Sequence, residues 1–347
     1  MSSQQHMQIN PRLISMLAGE DVATIKNKPT LTMLPGVYGK LIHKHKRHIQ
    51  KKYPENEHYL RCTHCNRKGK YDLQLVLVNN KNILEAEGNP DAREVMDWIQ
   101  PTGYFRCKHC NSAGQWVNDN PVFPFELMGA VKKSSEGESR PGYYVGSHQL
   151  YDGTIPHWAT DSEEHYLNKI EEGKDEAYVW NRLGNMYYSG GRPELSAAAH
   201  EHAIRLDPAQ IESHFSIANL LAEMGEWTKA SDHYRRMLIY AHAYTRLTPE
   251  KFRNMLANGL SESLKMYADS EGRVQFLPDG EENKEALQAA GLNQNNPNEL
   301  IFHEMDLHPD DIESFYPLAE MYMGDQRMAI SRRKRTLKLP RKKMKKA

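Results

Sequence analysis

The stretch Tyr59-Leu60-Arg61-Cys62-Thr63-His64-Cys65-Asn66 returns 45 positions later as Tyr104-Phe105-Arg106-Cys107-Lys108-His109-Cys110-Asn111. The shared pattern, Tyr-apolar-Arg-Cys-x-His-Cys-Asn, holds all four cysteines of the chain. Two residues between paired thiols let one tight turn present both sulfurs to one ion, and two such turns complete a tetrahedral shell. Cys62, Cys65, Cys107 and Cys110 are therefore the predicted ligands of a Zn2+ ion. A lone Cys-x-x-Cys would leave disulfide or redox chemistry open. The duplicated flanks, and only four cysteines in 347 residues, weigh against both. His64 and His109 read as turn residues, because four thiolates already fill the shell.

These halves resemble the knuckles of the zinc-ribbon and rubredoxin-like families, whose usual turn is Cys-Pro-x-Cys-Gly. Thr63 and Lys108 stand in place of the proline, and Asn66 and Asn111 in place of the glycine. That glycine adopts a left-handed backbone, which Asn tolerates next best. The resemblance implies a small β-rich metal domain, and the missing prolines argue against an iron redox site. The 41 residues between Cys65 and Cys107 exceed the usual ribbon gap and must hold an insertion. Within it, Tyr71–Val78 alternates as a strand would, Asn79-Asn80 suits a turn, and Asp91–Ile99 reads as a helix stopped before Pro101.

Length allows two domains. No apolar run approaches the length needed to cross a membrane, and Met1–Asn10 lacks the apolar core of a secretory signal. A reducing cytoplasm is the expected compartment. The formal net charge of zero hides an asymmetry: residues 40–70 carry about +8, residues 331–347 +10, and the segment between them −19. Such basic segments either grip phosphate backbones or fold back as counter-charge on the acidic middle. Lys40–Lys52 reads as a basic helix ended by Pro54, whose His43, His45 and His48 do not share one helix face. A further short helix is expected over Ile9–Leu17. Residues 125–160, rich in Gly, Pro and Ser, read as an irregular connector.

From residue 161 the periodicity turns helical. A helix capped by Asp161 or Ser162 runs to about Glu172. Trp180-x-x-Leu183-Gly184-x-x-Tyr187, followed by Ala203 and Pro208, is similar to the tetratricopeptide repeat pattern. That unit is 177–210. A second, 211–244, places Ile217-Ala218, Leu221, Gly225, Ala230 and Tyr234 equivalently, with Gly191 and Gly225 spaced 34 residues apart at the interhelix turns. Leu307-His308-Pro309 through Gly324 echoes the pattern as a degenerate end unit, with Pro317 expected to delay its helix. Pro249–Lys265 and Glu281–Ala290 read as helices, Arg273–Leu277 as a short strand, and Gly291–Asn298 as a loop. The resemblance implies antiparallel helix pairs stacked into a solenoid with a concave groove. Its groove positions would be Tyr178, Asn181, Asn185 and Tyr188 in the first unit and Glu212, Phe215, Asn219 and Ala222 in the second. The aligned Asn185 and Asn219 could each donate to and accept from a peptide backbone.

The expected fold is a multidomain α+β chain: a segment 1–39, a basic helix plus zinc-ribbon domain over 40–124, a connector 125–160, an all-α TPR-type helical solenoid over 161–330, and a basic disordered tail 331–347. Phosphate-binding, nucleophile-elbow and metalloprotease motifs are absent. His200-Glu201-His202 reads as a surface helix rather than a metal site. The first reading is a non-catalytic adaptor whose groove binds a protein or peptide. A rival is an RNA- or DNA-binding protein using Lys44, Lys46, Arg47, Lys51 and Lys52 with Arg332, Arg333, Lys334 and Arg335, and stacking on Tyr53, Tyr59, Tyr71 and Tyr104. An enzyme with an unfamiliar site stands third.

Overall fold

In the computed structural model, residues 8–25, 29–79, 94–173, 175–292 and 305–337 are described. The chain divides into two compact units, Met1–His202 and Ala203–Ala347.

In the first unit, α1 (Pro11–Ala18) starts where the Asn10 side chain accepts the Arg12 N–H and Pro11 presets the first turn. The expected basic helix is short: α2 (Tyr38–His45) gives way to a 3-10 turn, Lys46–His48. Two small sheets follow. In one, β1 (Glu57–Cys62) lies between β2 (Lys68–Asp72) and β5 (Trp116–Val117), antiparallel to both. In the other, β3 (Val76–Val78) pairs antiparallel with β4 (Ile99–Pro101) and parallel with β6 (Tyr143–Val145). A single apolar cluster including Leu60, Tyr71, Val76, Phe105, Trp116 and Trp158 spans both sheets, and α3 (Phe123–Ser135) adds Phe123 and Leu127 to it.

The sequence reading needs correcting here at several places. Tyr71–Val78 is not one strand. Asp72 Oδ1 accepts the N–H groups of Asn56 and Gln74 at 2.9 and 3.0 Å, Gln74 turns left-handed, and the strand breaks between β2 and β3. The helix expected over Asp91–Ile99 is, from Glu94, a 3-10 turn leading into β4; residues 91–93 and Asn80 lie outside the described residues. The connector is not irregular throughout, since it holds most of α3 and all of β6.

Helical structure then takes over. Helix α4 (Ala159–Glu171) starts earlier than expected: Trp158 is its cap, and Asp161, three residues on, accepts the Trp158 N–H at 2.8 Å. Helices α5 (Glu176–Ser189) and α6 (Pro193–Leu206) form the first predicted pair, and α7 (Ile211–Glu223) and α8 (Trp227–Tyr240) the second. The division between the units falls within α6. Gly191 and Gly225 occupy the two interhelix turns with φ of 74° and 78°, a region that suits glycine. At Gly184 a Cβ would sit 2.7 Å from the His200 ring, so only glycine lets α5 approach α6. Trp180, Leu183 and Tyr187 are fully buried, as are Ile217, Leu221 and Tyr234.

The second unit continues with α9 (Pro249–Asp269) and α10 (Gly280–Ala289), close to the expected helices. Arg273–Leu277 forms no strand. Arg273 and Val274 instead hydrogen-bond to Ser270, closing a turn after α9. Pro317 lies in the first turn of α11 (Tyr316–Tyr322), which starts late, behind a 3-10 turn. Residues 331–337, the start of the expected tail, follow on and make contacts with α9 and α11. Buried Glu320 accepts from Arg253 at 2.9 Å and from the backbone N–H of Thr336 and Leu337. Residues 338–347 lie outside the described residues.

Candidate metal centre

Both cysteine pairs sit on matched turns. Cys62 ends β1, and its carbonyl accepts the Asn66 N–H at 2.8 Å while its own N–H reaches the Arg67 carbonyl at 3.0 Å. Cys107 repeats this with Asn111 at 2.8 Å and Ser112 at 2.9 Å. Asn66 and Asn111 have φ of 59° and 60°, the left-handed geometry expected of residues in the glycine position.

The turns face each other. All four sulfurs lie within 4.8 Å of one another, with Cys62–Cys110 at 3.9 Å and Cys65–Cys107 at 3.6 Å. All four cysteines are free thiols, and these separations are nearly twice a disulfide bond of about 2.05 Å. A tetrahedron of sulfurs about 2.3 Å from a central ion has edges of roughly 3.8 Å, so the cluster could hold a metal ion of that size. Cys62 and Cys107 are buried, and Cys65 and Cys110 half-buried.

Electrostatics favour a cation at the centre. Burial opposes charge on Cys110, yet hydrogen bonds from Ser112 outweigh it and bring this thiol down to about 6. At Cys65 a backbone hydrogen bond from Arg67 favours the thiolate, but burial and hydrogen bonds to Cys107, Cys110 and Cys62 push it up to about 12. Like charges cannot all develop in so small a volume without a counter-ion. Tyr71, Phe105 and Trp116 share a buried cluster with Cys62 and Cys107, their rings tilted or edge-on at 4.7–5.2 Å.

One anchor of this region was missed in the sequence. Glu163 of α4 is fully buried. It accepts from Arg106 at 3.1 Å, Tyr104 Oη at 2.7 Å, Asn10 Nδ2 at 2.9 Å and Tyr187 Oη. Burial holds its carboxyl above the ordinary range, against the pull of Arg106. Tyr and Arg before Cys107 were read as knuckle flanks; no local pattern pointed from them to a carboxylate 57 residues away.

The other predicted site residues are scattered. Asn181 is fully buried, where Arg182 and Asn185 donate to its carbonyl oxygen. Tyr178, Asn185 and Tyr188 are half-buried, and Tyr178 meets Tyr151 edge to face at 5.5 Å. Phe215 and Asn219 are half-buried on α7, where Tyr234 Oη donates to Asn219 at 2.6 Å. His200 is not on a surface. It is buried against Gly184, which pushes its pKa down to about 3, while Glu201 accepts the N–H groups of Val37 and Tyr38 at the start of α2.

Several predicted basic residues already have partners. Lys46 pairs with buried Glu194 at 3.2 Å, Lys51 with Glu55 at 2.6 Å and Lys334 with Glu250 at 4.0 Å. Lys52 donates to Ser189, and Arg335 to backbone carbonyls of Met328 and Ile330. Lys44, Arg47, Arg332 and Arg333 are exposed.

No family model matches the chain, and no solved structure matches it. A pentatricopeptide repeat-containing chloroplast protein of Arabidopsis thaliana is 33% identical over 69 residues, 20% of this chain and 8% of the relative. The chain thus spans less than a tenth of that relative's length. Partial similarity to a helical-repeat protein agrees with the helix pairs. No helix among the described residues is long and apolar enough to cross a membrane.

Proposed function

We propose that this chain is a non-catalytic binding protein: a zinc ion clamps the two cysteine turns, and a short tetratricopeptide-type array presents a helix face to a protein or peptide partner in the cytoplasm. The observation that carries this reading is the paired-helix pattern, with glycine turns 34 residues apart, beside a partial likeness to a repeat protein. Repeat architectures bind through side chains on successive equivalent helices. The contact face belongs to α7, where Phe215 offers flat apolar area and Tyr234 fixes the Asn219 amide. The basic segments serve largely as internal counter-charge, as the pairs at Lys46, Lys51 and Lys334 support.

The test is affinity capture from the native cells, with and without nuclease. Phe215→Ala with Asn219→Ala should remove reproducibly captured proteins while circular dichroism shows the helices intact, although Tm falls because the buried Tyr234 hydroxyl loses its acceptor. Capture that survives the double change, or vanishes with nuclease, would instead favour the nucleic-acid reading.

A further inference from the structure

The face of α5 expected to line an open groove is covered by the chain's own loops. Segment 148–158 crosses it and is pinned at three places. Gln100 of β4 accepts the His148 N–H at 2.8 Å and donates to the Pro156 carbonyl. His165 of α4 meets Asp152 at 2.8 Å, and His157 meets the Met96 carbonyl at 2.7 Å. Tyr151, at the tip, lies parallel to Tyr166 and edge-on to Tyr178.

Beneath this cover is a cavity of about 450 Å³. Its size falls within the range of small-molecule sites, about 300–1,000 Å³, and is too small for a peptide laid along a helix. Leu77, Pro101, Leu150, Trp158 and Tyr166 form a buried, largely apolar and aromatic floor. Lys52 and Arg182 stand on its walls with Asn185 and Ser189, and among the described residues no carboxylate lines it. That is unusual in a chain whose middle carries a charge of −19. Lys52 is exposed, donates to Ser189 Oγ at 2.8 Å, and forms no ion pair among the described residues. Arg182 is held in place, its guanidinium over the Tyr178 ring at 4.8 Å and its Nε on Asn181. A cation at the rim of a buried aromatic floor matches a ligand with a flat body and one anionic end.

We propose that this cavity binds a small organic anion with a planar apolar body, its carboxylate or phosphate meeting the Lys52 ammonium where that side chain reaches Ser189. The site is separate from the four-cysteine cluster and from the α7 face, so it goes beyond the adaptor reading and does not depend on it.

Isothermal titration of the full chain tests it with naphthoate and adenosine monophosphate, each against its neutral counterpart, naphthamide or adenosine. At least one anion should bind with a submillimolar Kd, and its neutral counterpart about tenfold more weakly or worse, a gap of about 1.4 kcal/mol. Which anion binds tells a carboxylate ligand from a phosphate ester. Lys52→Met should weaken that anion by about tenfold and Lys52→Arg should restore it, both with unchanged Tm because Lys52 is exposed. The proposal is overturned if neither anion binds, if a neutral counterpart binds as tightly as its anion, or if Lys52→Met binds like wild type.

Discussion

The two copies of the cysteine motif have nearly the same turn and opposite surroundings. In the first copy Tyr59 is 67% exposed, and Arg61 pairs with Asp119 at the surface. In the second, Tyr104 is 4% and Arg106 8% exposed, and both donate to buried Glu163. The shared residues dictate what is local: the left-handed Asn, the paired backbone hydrogen bonds and the aim of the sulfurs. Whether the flanks face water or protein is decided by what packs on them. The first copy carries its cysteines on a solvent-facing edge; the second carries them on a keystone.

Metal ligation is where the copies should be indistinguishable. Cys62→Ser and Cys107→Ser should both abolish stoichiometric zinc and unfold the two sheets, since structural zinc contributes on the order of 10 kcal/mol in small systems. Elemental analysis and hydrogen exchange across residues 57–117 would check this. A variant that keeps its metal and its protection would break the equivalence.

Behind the ligands the copies should part. Arg106→Ala leaves Glu163 without its cation, and losing one partner of a buried pair costs about 3–5 kcal/mol. Arg61→Ala removes a surface pair worth about 1 kcal/mol or less. Urea denaturation of both variants measures the gap, and equal losses would refute the buried network.

A smaller contrast concerns the turn residues. Glycine also adopts the left-handed backbone, so Asn66→Gly should be nearly neutral. Asn111→Gly removes the hydrogen bond from Nδ2 to the Ile9 carbonyl, 2.9 Å long, and should cost about 1 kcal/mol. Thermal melts of the two variants would resolve it.

Acid titration sharpens the same comparison. Hydrogen bonds from Arg61 and Lys68 hold Asp119 down to about 2. Its contribution is therefore present above the ordinary aspartate value and lost only as pH falls toward 2. Glu163 has the opposite sign. Its carboxyl is raised by burial, so ionisation at rising pH opposes folding and acid relieves it. Carboxyl carbon shifts followed by NMR from pH 7 to 2 should show Glu163 titrating before Asp119.

What was legible in the chain was whatever a short spacing encodes. The four cysteines converge as read, and the helices α5 to α10 stand close to their predicted places, because turn chemistry and helical period act over a few residues. The groove reading met a different limit. Tyr178 and Asn185 lie on the expected helix, but nothing in their own segment announces that Gln100 will fasten residues 148–156 beside them. The splitting of Tyr71–Val78 hinged on Asp72 capturing two backbone N–H groups, one from Asn56 far upstream of it. Glu163 was hidden for the same reason: its donors lie at positions 10, 104, 106 and 187.

That dispersion of donors also sets an order of assembly during synthesis. Chain elongation at about 5–20 residues per second delivers Tyr187 roughly 4 to 17 s after Tyr104. The first cysteine pair waits roughly 2 to 8 s for the second by the same clock. A metal ion can therefore close the two turns before the carboxylate that buttresses them has its full set of donors. For that interval all four cysteines have been made while Tyr187, the last of the Glu163 donors, has not.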